Sequence, residues 1–328
     1  MGKKETIIAI LEILNKYSDA EHPINSNQII RLLDHQYNLN CERKAISRSI
    51  NALIEMGYDI AMYSETGKGY YLRERSFDDS ELRLLIDLVF SSRFIPGPQA
   101  KSLLEKLKGL SSIFFAKKQS HINIISNSYH KDNKQLFYTV DCLSQAITNN
   151  KQISFYKGAY TLDLKLSCID NWQRIANPYQ LISTNEQYYL ICNYEGYDNI
   201  VNIKLDRIID IKMLESPSKP ITELTGYKHG LDFEKYARET IYLHEGTPEL
   251  IILKCKNYIV DDIVDHFGTS ISIKPVDSEY CQVSFTAKPR GLRYWCLQYG
   301  RHCEVVAPES LRNTIINDIK DISINYHI

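Results

Sequence analysis

Three amphipathic stretches open the chain. In each of them apolar residues recur three or four positions apart, which is the spacing of one face of an α-helix. Pro23 separates the first stretch from the second, Ser26 suits the N-cap of the second, and Gly57 suits the position just after the third. The pattern therefore predicts helices at residues 3–17, 26–37 and 42–56.

A short hairpin is predicted after the third helix. Residues 59–63 and 70–72 are rich in apolar and aromatic side chains, and a Gly-Lys-Gly turn at residues 67–69 joins them. Glycines between two such runs indicate a tight turn, and both are expected to adopt backbone conformations that other residues avoid. Three helices followed by a hairpin predict a winged helix-turn-helix over residues 1–75, a fold that places a helix in the major groove of duplex DNA.

The third predicted helix has two unlike faces. Ile46, Ile50 and Leu53 share the inner face, and polar side chains at positions i, i+3, i+4 and i+7 share the outer one. Side chains of these polar types contact phosphates and base edges in duplex DNA. A solvated face on a three-helix dimerisation domain is the alternative. The predicted DNA-binding residues are Arg43, Lys44, Ser47, Arg48 and Asn51, with Lys68 at the tip of the hairpin.

Breaks in the pattern divide the rest of the chain. Amphipathic runs interrupted at Pro96-Gly97-Pro98 predict a helical linker, and one helix followed by short strands predicts a β-rich domain. Strands and helices in the order βαββαβα then predict a ferredoxin-like α/β sandwich. The predicted segments are the winged helix 1–75, the helical linker 76–135, the β-rich domain 136–215, a connector 216–245 and the sandwich domain 246–328.

Cations and tyrosines lie close together in the β-rich domain. Arg174, Lys204 and Arg207 flank a predicted strand that carries Tyr188 and Tyr189. Positive charge beside aromatic faces on a small sheet suits an anionic ligand that contains a ring. We therefore expect an anion-binding surface here.

A purely structural role for the same residues remains open. Side chains alternate along a strand, so Tyr188 shares a face with Leu190 and Cys192, and that face would be the core. Arg207 would then pair with Asp206 or with another carboxylate and close a turn.

This segment resembles the WYL domain, an Sm-like β-barrel of bacterial transcription regulators. Three separated blocks of the family pattern occur in the family's order: R-x-V-x-P-x-x-L, then W-Y-L, then F-R-L-D-R-I. The matching residues are Arg174, Pro178, Leu181, Tyr189, Leu190, Leu205, Asp206, Arg207 and Ile208. The departures are Tyr188, Ile203 and Lys204, where the family has Trp, Phe and Arg.

Segments on either side resemble the domains that accompany WYL in these regulators. Near the C-terminus, Trp295, Gly300 and residues 303–308 resemble the WCX extension. The implied fold class is α+β and multidomain: winged helix-turn-helix, helical linker, Sm-like barrel and ferredoxin-like sandwich. The N-terminal resemblance rests on Arg43, Lys44, Ile46, Arg48, Ile50, Leu53, Gly69, Tyr70 and Leu72, with departures at Glu42, Ala45 and Ser49.

The resemblance implies a ligand-responsive transcription regulator. Its partners would be a double-stranded DNA operator and an anionic effector, for which single-stranded DNA or a nucleotide-like ligand is the favoured class. The linker would help to form a homodimer, and the WCX domain would contribute to the effector site or to the dimer. The implied effector-binding residues are Tyr156, Arg174, Tyr189, Lys204 and Arg207.

Composition constrains where the protein works. The 328 residues carry 39 Lys and Arg against 40 Asp and Glu, so nucleic-acid binding must rest on a local patch rather than on overall charge. The eight cysteines contain no CxxC pair, which favours free thiols in a reducing cytosol. The N-terminus lacks a signal-peptide pattern, and no apolar run reaches the roughly 18 residues that span a bilayer. We therefore expect a cytoplasmic protein without a membrane partner.

The sequence nominates no catalytic, metal or cofactor site. It contains no GxGxxG, P-loop, HExxH or GxSxG motif, and its nine histidines lack ligand spacing with one another or with cysteine. We therefore expect a protein that is not an enzyme and that uses no cofactor or metal. Two alternatives remain open: an enzyme that acts on nucleic acids or nucleotides, and a non-sensing nucleic-acid-binding subunit of a defence or repair assembly.

Overall fold

The chain folds into two units, Met1–Asp132 and Asn133–Ile328. In the described residues, the first unit is built of helices and one hairpin, and the second holds two antiparallel sheets. The computed structural model describes residues 3–92, 94–118, 135–184, 187–240 and 246–327.

Three N-terminal helices share one core. Each buries an apolar stripe, with Ile13, Leu33 and Ile50 completely buried, and burying a side chain of this size stabilises the fold by roughly 1.5–3 kcal/mol. The predicted helices are confirmed to within one residue at each end. They are α1 (Lys3–Tyr17), α2 (Ser26–Tyr37) and α3 (Arg43–Glu55).

The start of α2 differs from the prediction by one residue. Asn25 rather than Ser26 caps the helix: the backbone N–H of Gln28 donates to Asn25 Oδ1 at 3.0 Å, and that of Asn25 donates to Gln28 Oε1 at 2.8 Å. This reciprocal pair satisfies two backbone donors at once, and Ser26 becomes the first, buried residue of the helix. Gly57 follows the end of α3 with a φ of 99°, as predicted.

The hairpin is shorter than predicted, because a helical turn lies between its strands. Thr66 organises this turn: its Oγ1 accepts from the backbone N–H groups of Lys68 at 3.1 Å and Gly69 at 3.0 Å and donates to the Gly69 carbonyl at 2.7 Å. The first strand therefore ends at Ala61 rather than at Tyr63. The elements are β1 (Ile60–Ala61), α4 (Tyr63–Thr66) and β2 (Tyr71–Leu72).

The two glycines of the hairpin are needed for different reasons. Gly67 has a φ of 67°, in the left-handed region that the sequence predicts. The same prediction is wrong for Gly69, which lies outside that region. Gly69 is needed for space, since a Cβ there would lie 2.4 Å from the carbonyl carbon and oxygen of Ile24. Two hydrogen bonds of 2.9 and 2.7 Å between Ile24 and Tyr70 hold the hairpin at this distance.

Helices of the predicted linker belong to the same unit as the winged helix. Ser112 Oγ donates to Asp19 Oδ2 at 3.0 Å, and the rings of His22 and Phe114 stack with centroids 3.7 Å apart. These contacts join the last of the helices to the loop after α1. Residues 119–134 of the predicted linker lie outside the described part of the chain. The linker helices are α5 (Asp79–Ser91), α6 (Gly97–Lys108) and α7 (Ile113–Lys118).

The second unit begins with a helix and a curled antiparallel sheet, here called the sheet domain. Its elements are α8 (Leu136–Thr148), β3 (Lys151–Tyr160), β4 (Leu166–Cys168), β5 (Arg174–Thr184), β6 (Gln187–Tyr194), β7 (Ile200–Lys204) and β8 (Ile208–Pro217). The strands pair in the order β8-β3-β5-β6-β7, with β4 on the far end of β3. A single 3-10 turn, Leu205–Arg207, joins β7 to β8 and places Asp206 and Arg207 side by side.

Strand β6 is buried on both faces. Leu190 is completely buried on one face, and Tyr189 and Ile191 are buried on the other beneath the connector. Tyr236 of α9 (Phe233–Glu239) packs there and its hydroxyl bonds to the side chain of Asn202. The connector is therefore a cover for the sheet as well as a link.

The C-terminal sandwich domain has the predicted βαββαβα order. Its strands pair in the order β10-β11-β9-β12, all antiparallel, as in a ferredoxin-like sheet, and Trp295 is buried in the core at 1% exposure. The predicted fold class is confirmed. The elements are β9 (Glu249–Lys256), α10 (Val260–Phe267), β10 (Ser272–Pro275), β11 (Tyr280–Ala287), α11 (Pro289–Gln298), β12 (Cys303–Ala307) and α12 (Glu309–Asn325).

Replacing Gly69 with alanine should destabilise the hairpin more than replacing Gly67. At Gly69 the new Cβ would overlap the Ile24 carbonyl, so the backbone must move, at an expected cost of about 2 kcal/mol or more. At Gly67 the space is open and only the left-handed φ is unfavourable, at about 1 kcal/mol. Hydrogen exchange of the full-length variants, read out in peptides from residues 1–75, compares the two substitutions. Equal protection in both variants would contradict the steric account.

Candidate nucleic-acid and effector sites

The outer face of α3 is exposed and basic. Ile46 and Ile50 anchor the opposite face in the core with no exposed surface, which turns the polar positions outward. DNA binding by this face stays a prediction. The exposed residues are Arg43, Lys44, Arg48 and Asn51, with Ser47 half-buried beside them.

The cations of this face keep their charge available. Among the described residues, no carboxylate forms an ion pair with the three cations of α3 or with the exposed Lys68 of the hairpin. Arg73, at the base of the same hairpin, is instead bound to Asp59 and Glu65. The hydrogen bond from Arg73 lowers the pKa of Glu65. The charge of this arginine is therefore balanced by carboxylates of the protein itself.

Arg174, the first of the predicted effector-binding residues, is held within the sheet domain. Its guanidinium forms two parallel hydrogen bonds to Asp170, at 2.8 and 2.7 Å, and a third to the Trp172 carbonyl at 2.8 Å. The pair of bonds to Arg174 lowers the pKa of Asp170 to about 2. Only 9% of Arg174 is exposed, so it fixes the turn before β5 more than it offers charge to solvent.

Tyr189 and Lys204 are brought together by strand pairing. They are direct partners across β6 and β7, and Lys204 Nζ lies 5.8 Å from the centre of the Tyr189 ring. Burial raises the pKa of Tyr189, and the nearby Asp206 carboxylate adds to the effect. Tyr189 is only 6% exposed, so its ring supports Lys204 from below rather than facing solvent.

Arg207 lies at the turn between β7 and β8 and contacts both a carboxylate and a ring. Its Nε is 3.7 Å from Asp206 Oδ1, and its Cζ is 4.3 Å from the centre of the Tyr160 ring. Its Nη1 is buried and has no hydrogen-bond partner in the described part of the chain. The Asp206 pairing expected of a structural role is therefore present, and one guanidinium donor remains unused.

Tyr156, the fifth predicted residue, is half-buried on β3 opposite Ile209 of β8. The described contacts join Tyr189 to Lys204 and place Arg207 three residues further along the chain. They join Arg174 to Asp170 and Trp172 instead. Of the five predicted residues, the described contacts thus join only Tyr189 and Lys204 to each other directly.

Sequence reasoning missed the partners of the predicted residues. Asp170 stands four positions before Arg174, a spacing that could have indicated the ion pair. Tyr160 and Tyr236 carry no local signal, because both reach their partners only through the curl of the sheet and the path of the connector. Among the described residues no group of three or more His, Cys, Asp or Glu could hold a metal ion.

No described helix is both long and apolar enough to cross a membrane.

Two domain models match the chain. The WYL domain matches residues 139–213 and the WCX domain matches residues 250–323. These segments coincide with the sheet domain and the sandwich domain. No curated protein matches the chain.

Two solved structures are similar to the chain at low sequence identity. One is proteasome accessory factor B/C (PafBC) of Arthrobacter aurescens, with 16% identity and a TM-score of 0.28. The match covers 98% of this chain and 49% of the PafBC chain. The chain thus spans about half the length of that protein. Another is a CRISPR Cas-related protein, with 11% identity and a TM-score of 0.39. That match covers 77% of this chain and 75% of the other chain. The chain therefore contains a WYL domain, which is the sheet domain, and a WCX domain, which is the sandwich domain.

Proposed function

We propose that the protein is a transcription regulator that binds duplex DNA through α3. The observation that carries the proposal is the exposed face of that helix, whose cations have no ion-pair partner among the described residues. A helix of this kind, held against a three-helix core beside a hairpin, has the geometry that enters a major groove. Lys68 at the hairpin tip would contact the phosphate backbone, and the WYL and WCX domains support the regulator class.

The face divides into two kinds of contact. Arg48 and Asn51 lie one turn apart on α3, and arginine and asparagine can each make paired hydrogen bonds to base edges. Lys44 and Lys68 carry point charges suited to phosphates, which fix position without reading sequence. The net charge of −1 limits attraction to DNA to this local surface.

An effector would act through the sheet domain. Lys204 ends β7 and Arg207 ends the turn that leads to β8. An anion between them could use Nη1 of Arg207, which has no hydrogen-bond partner among the described residues. Single-stranded DNA or a nucleotide-like ligand remains the favoured class. Arg174 would position the neighbouring turn through Asp170 rather than bind the ligand itself. Such a ligand regulates only if it favours one arrangement of the DNA-binding domains.

A homodimer completes the proposal. Leu84 and Leu88 lie one turn apart on α5 and are 64% and 65% exposed. Large apolar side chains that share one exposed helix face often mark a protein–protein contact. A second copy of the chain would bury them and would present two α3 helices to a symmetric operator.

Replacing Arg48 with alanine should weaken operator binding by about 1–3 kcal/mol, because a base-edge or close phosphate contact is lost. Folding should be unchanged, since Arg48 lies outside the buried stripe of α3. Fluorescence anisotropy with duplex DNA at moderate salt measures the loss. Arg301→Ala, an exposed arginine of the sandwich domain, is the matched control. Unchanged affinity for both Arg48→Ala and Lys44→Ala would remove α3 as the reading helix.

Replacing Lys204 or Arg207 with alanine should abolish the stabilisation that a short single-stranded DNA gives to the protein, because one charge-assisted contact contributes about 10- to 100-fold in affinity. Lys204→Arg should preserve or strengthen it, since the planar fork of arginine binds phosphate at two points. Arg174→Ala should chiefly lower the melting temperature of the free protein, because Asp170 loses its partner. Thermal melts with and without the strand measure both effects. If no strand shifts the wild-type melt and Arg207→Ala only destabilises, the sheet domain is not a sensor.

Replacing Leu84 and Leu88 together with lysine should convert a dimer to a monomer, because the change places two charges in an apolar contact. Both side chains are mostly exposed, so the fold should survive. Sedimentation velocity gives the oligomeric state. The pair Leu162→Lys and Leu164→Lys, also exposed but in the sheet domain, is the control of equal charge. A monomeric wild type, or a double variant that remains dimeric, would refute the role of α5.

A further inference from the structure

A cleft of about 520 Å³ lies in the second unit, between the sheet domain, the connector and the sandwich domain. The end of β5 and helix α9 form one wall, and α10 and β11 form the other. None of the residues predicted to bind an effector lines it. Its volume falls in the range of cavities that hold metabolite-sized ligands.

The wall from the sandwich domain is aromatic. Phe267 and Phe285 are half-buried and lie with ring centroids 4.6 Å apart, and Phe267 also packs edge-on against Trp295 at 4.8 Å. Because Trp295 is buried in the domain core, it holds this pair in place. Two fixed rings in the wall of a cavity offer an apolar surface on which a planar ligand can stack.

The opposite wall carries two cations, Lys235 and Arg238, and one carboxylate, Glu239. Lys235 and Arg238 are three positions apart on α9, so both face the cleft, and both are exposed. Lys235 Nζ lies 3.8 Å from Glu239, which partly offsets its charge. Arg238 forms no ion pair with any residue that the structure describes. Its guanidinium therefore remains able to bind an anion at two points.

A buried hydroxyl also lines the cleft. Thr240, at the end of α9, lines the cavity at 2% exposure, and its Oγ1 has no hydrogen-bond partner among the described residues. A ligand atom that forms a hydrogen bond with such a buried hydroxyl would be stabilised by it. Ser183 and Thr184 of β5 add two more hydroxyls on the same side of the cleft.

We propose that this cleft binds a small ligand with a planar ring and a phosphate group. The phenylalanine pair would take the ring. Arg238, with Lys235 behind it, would take the phosphate, whose several oxygens suit the neighbouring hydroxyl donors better than a carboxylate does. The site is separate from the effector surface at Lys204 and Arg207 and does not depend on DNA binding by α3.

Adenosine 5′-monophosphate is a suitable probe for isothermal titration calorimetry with the full-length protein. It should bind more tightly than adenosine, which lacks the charge, and than inorganic phosphate, which lacks the ring. Arg238→Ala should weaken binding by about 10- to 100-fold. Thr240→Val should also weaken it, without lowering the melting temperature of the free protein, because the hydroxyl bonds to none of the described residues. Phe285→Leu should selectively reduce the advantage over inorganic phosphate.

Arg301→Ala, which replaces an exposed arginine of the sandwich domain outside the cleft, should bind the probe as the wild type does. A 5′-phosphorylated dinucleotide tests the source of the ligand: tighter binding than the mononucleotide indicates a strand end, and weaker binding indicates a free nucleotide. The proposal fails if no probe binds at millimolar concentration. It also fails if Arg238→Ala and Thr240→Val bind the mononucleotide like the wild type. Operator affinity, measured on the same samples, tests α3 independently.

Discussion

The burial of β6 on both faces is the constraint on which the second unit depends. Leu190 on one face and Ile191 on the other are both completely buried, which requires a cover on each side of a small sheet. The curl of the sheet supplies one cover and the connector supplies the other. Neither face of the strand can then be solvated, so the path of the connector across the sheet is fixed by hydrophobic burial.

The packing of the connector on the sheet orients two cations. The connector packs Tyr236 beside Tyr189, and Tyr189 lies beneath Lys204, so burial under the connector orients a cation at the end of β7. The same helix that carries Tyr236 turns Arg238 toward the sandwich domain. Packing one apolar face therefore determines where two separate positive charges point.

Charge in this protein is divided between cations that carboxylates neutralise and cations that they leave available. Arg73 and Arg174 have carboxylate partners at hydrogen-bonding distance and hold the hairpin and the turn before β5 in place. Arg48 and Arg238 form no ion pair with the described residues. Since a nearly neutral chain cannot attract an anion through its overall charge, these unpaired arginines mark the surfaces where anion binding is physically most favourable.

The sequence by itself determined the local elements. The helices of the winged domain and the βαββαβα order of the sandwich were predicted because periodic burial and turn-forming residues act over a few positions. The left-handed turn at Gly67 was predicted for the same reason. The steric constraint that requires glycine at position 69 could not be predicted in this way. Its neighbour Ile24 lies 45 residues earlier in the chain and meets Gly69 only in the folded hairpin.

Tertiary structure alone decided which of the predicted site residues meet. Tyr189 was a plausible stacking surface in the sequence, and burial beneath Tyr236, 47 residues later, made it a support instead. The cleft was invisible in the sequence because β5, α9, α10 and β11 each contribute only part of it. Residue type and spacing describe what one segment can do, whereas a site built from several segments exists only after hydrophobic burial has brought them together.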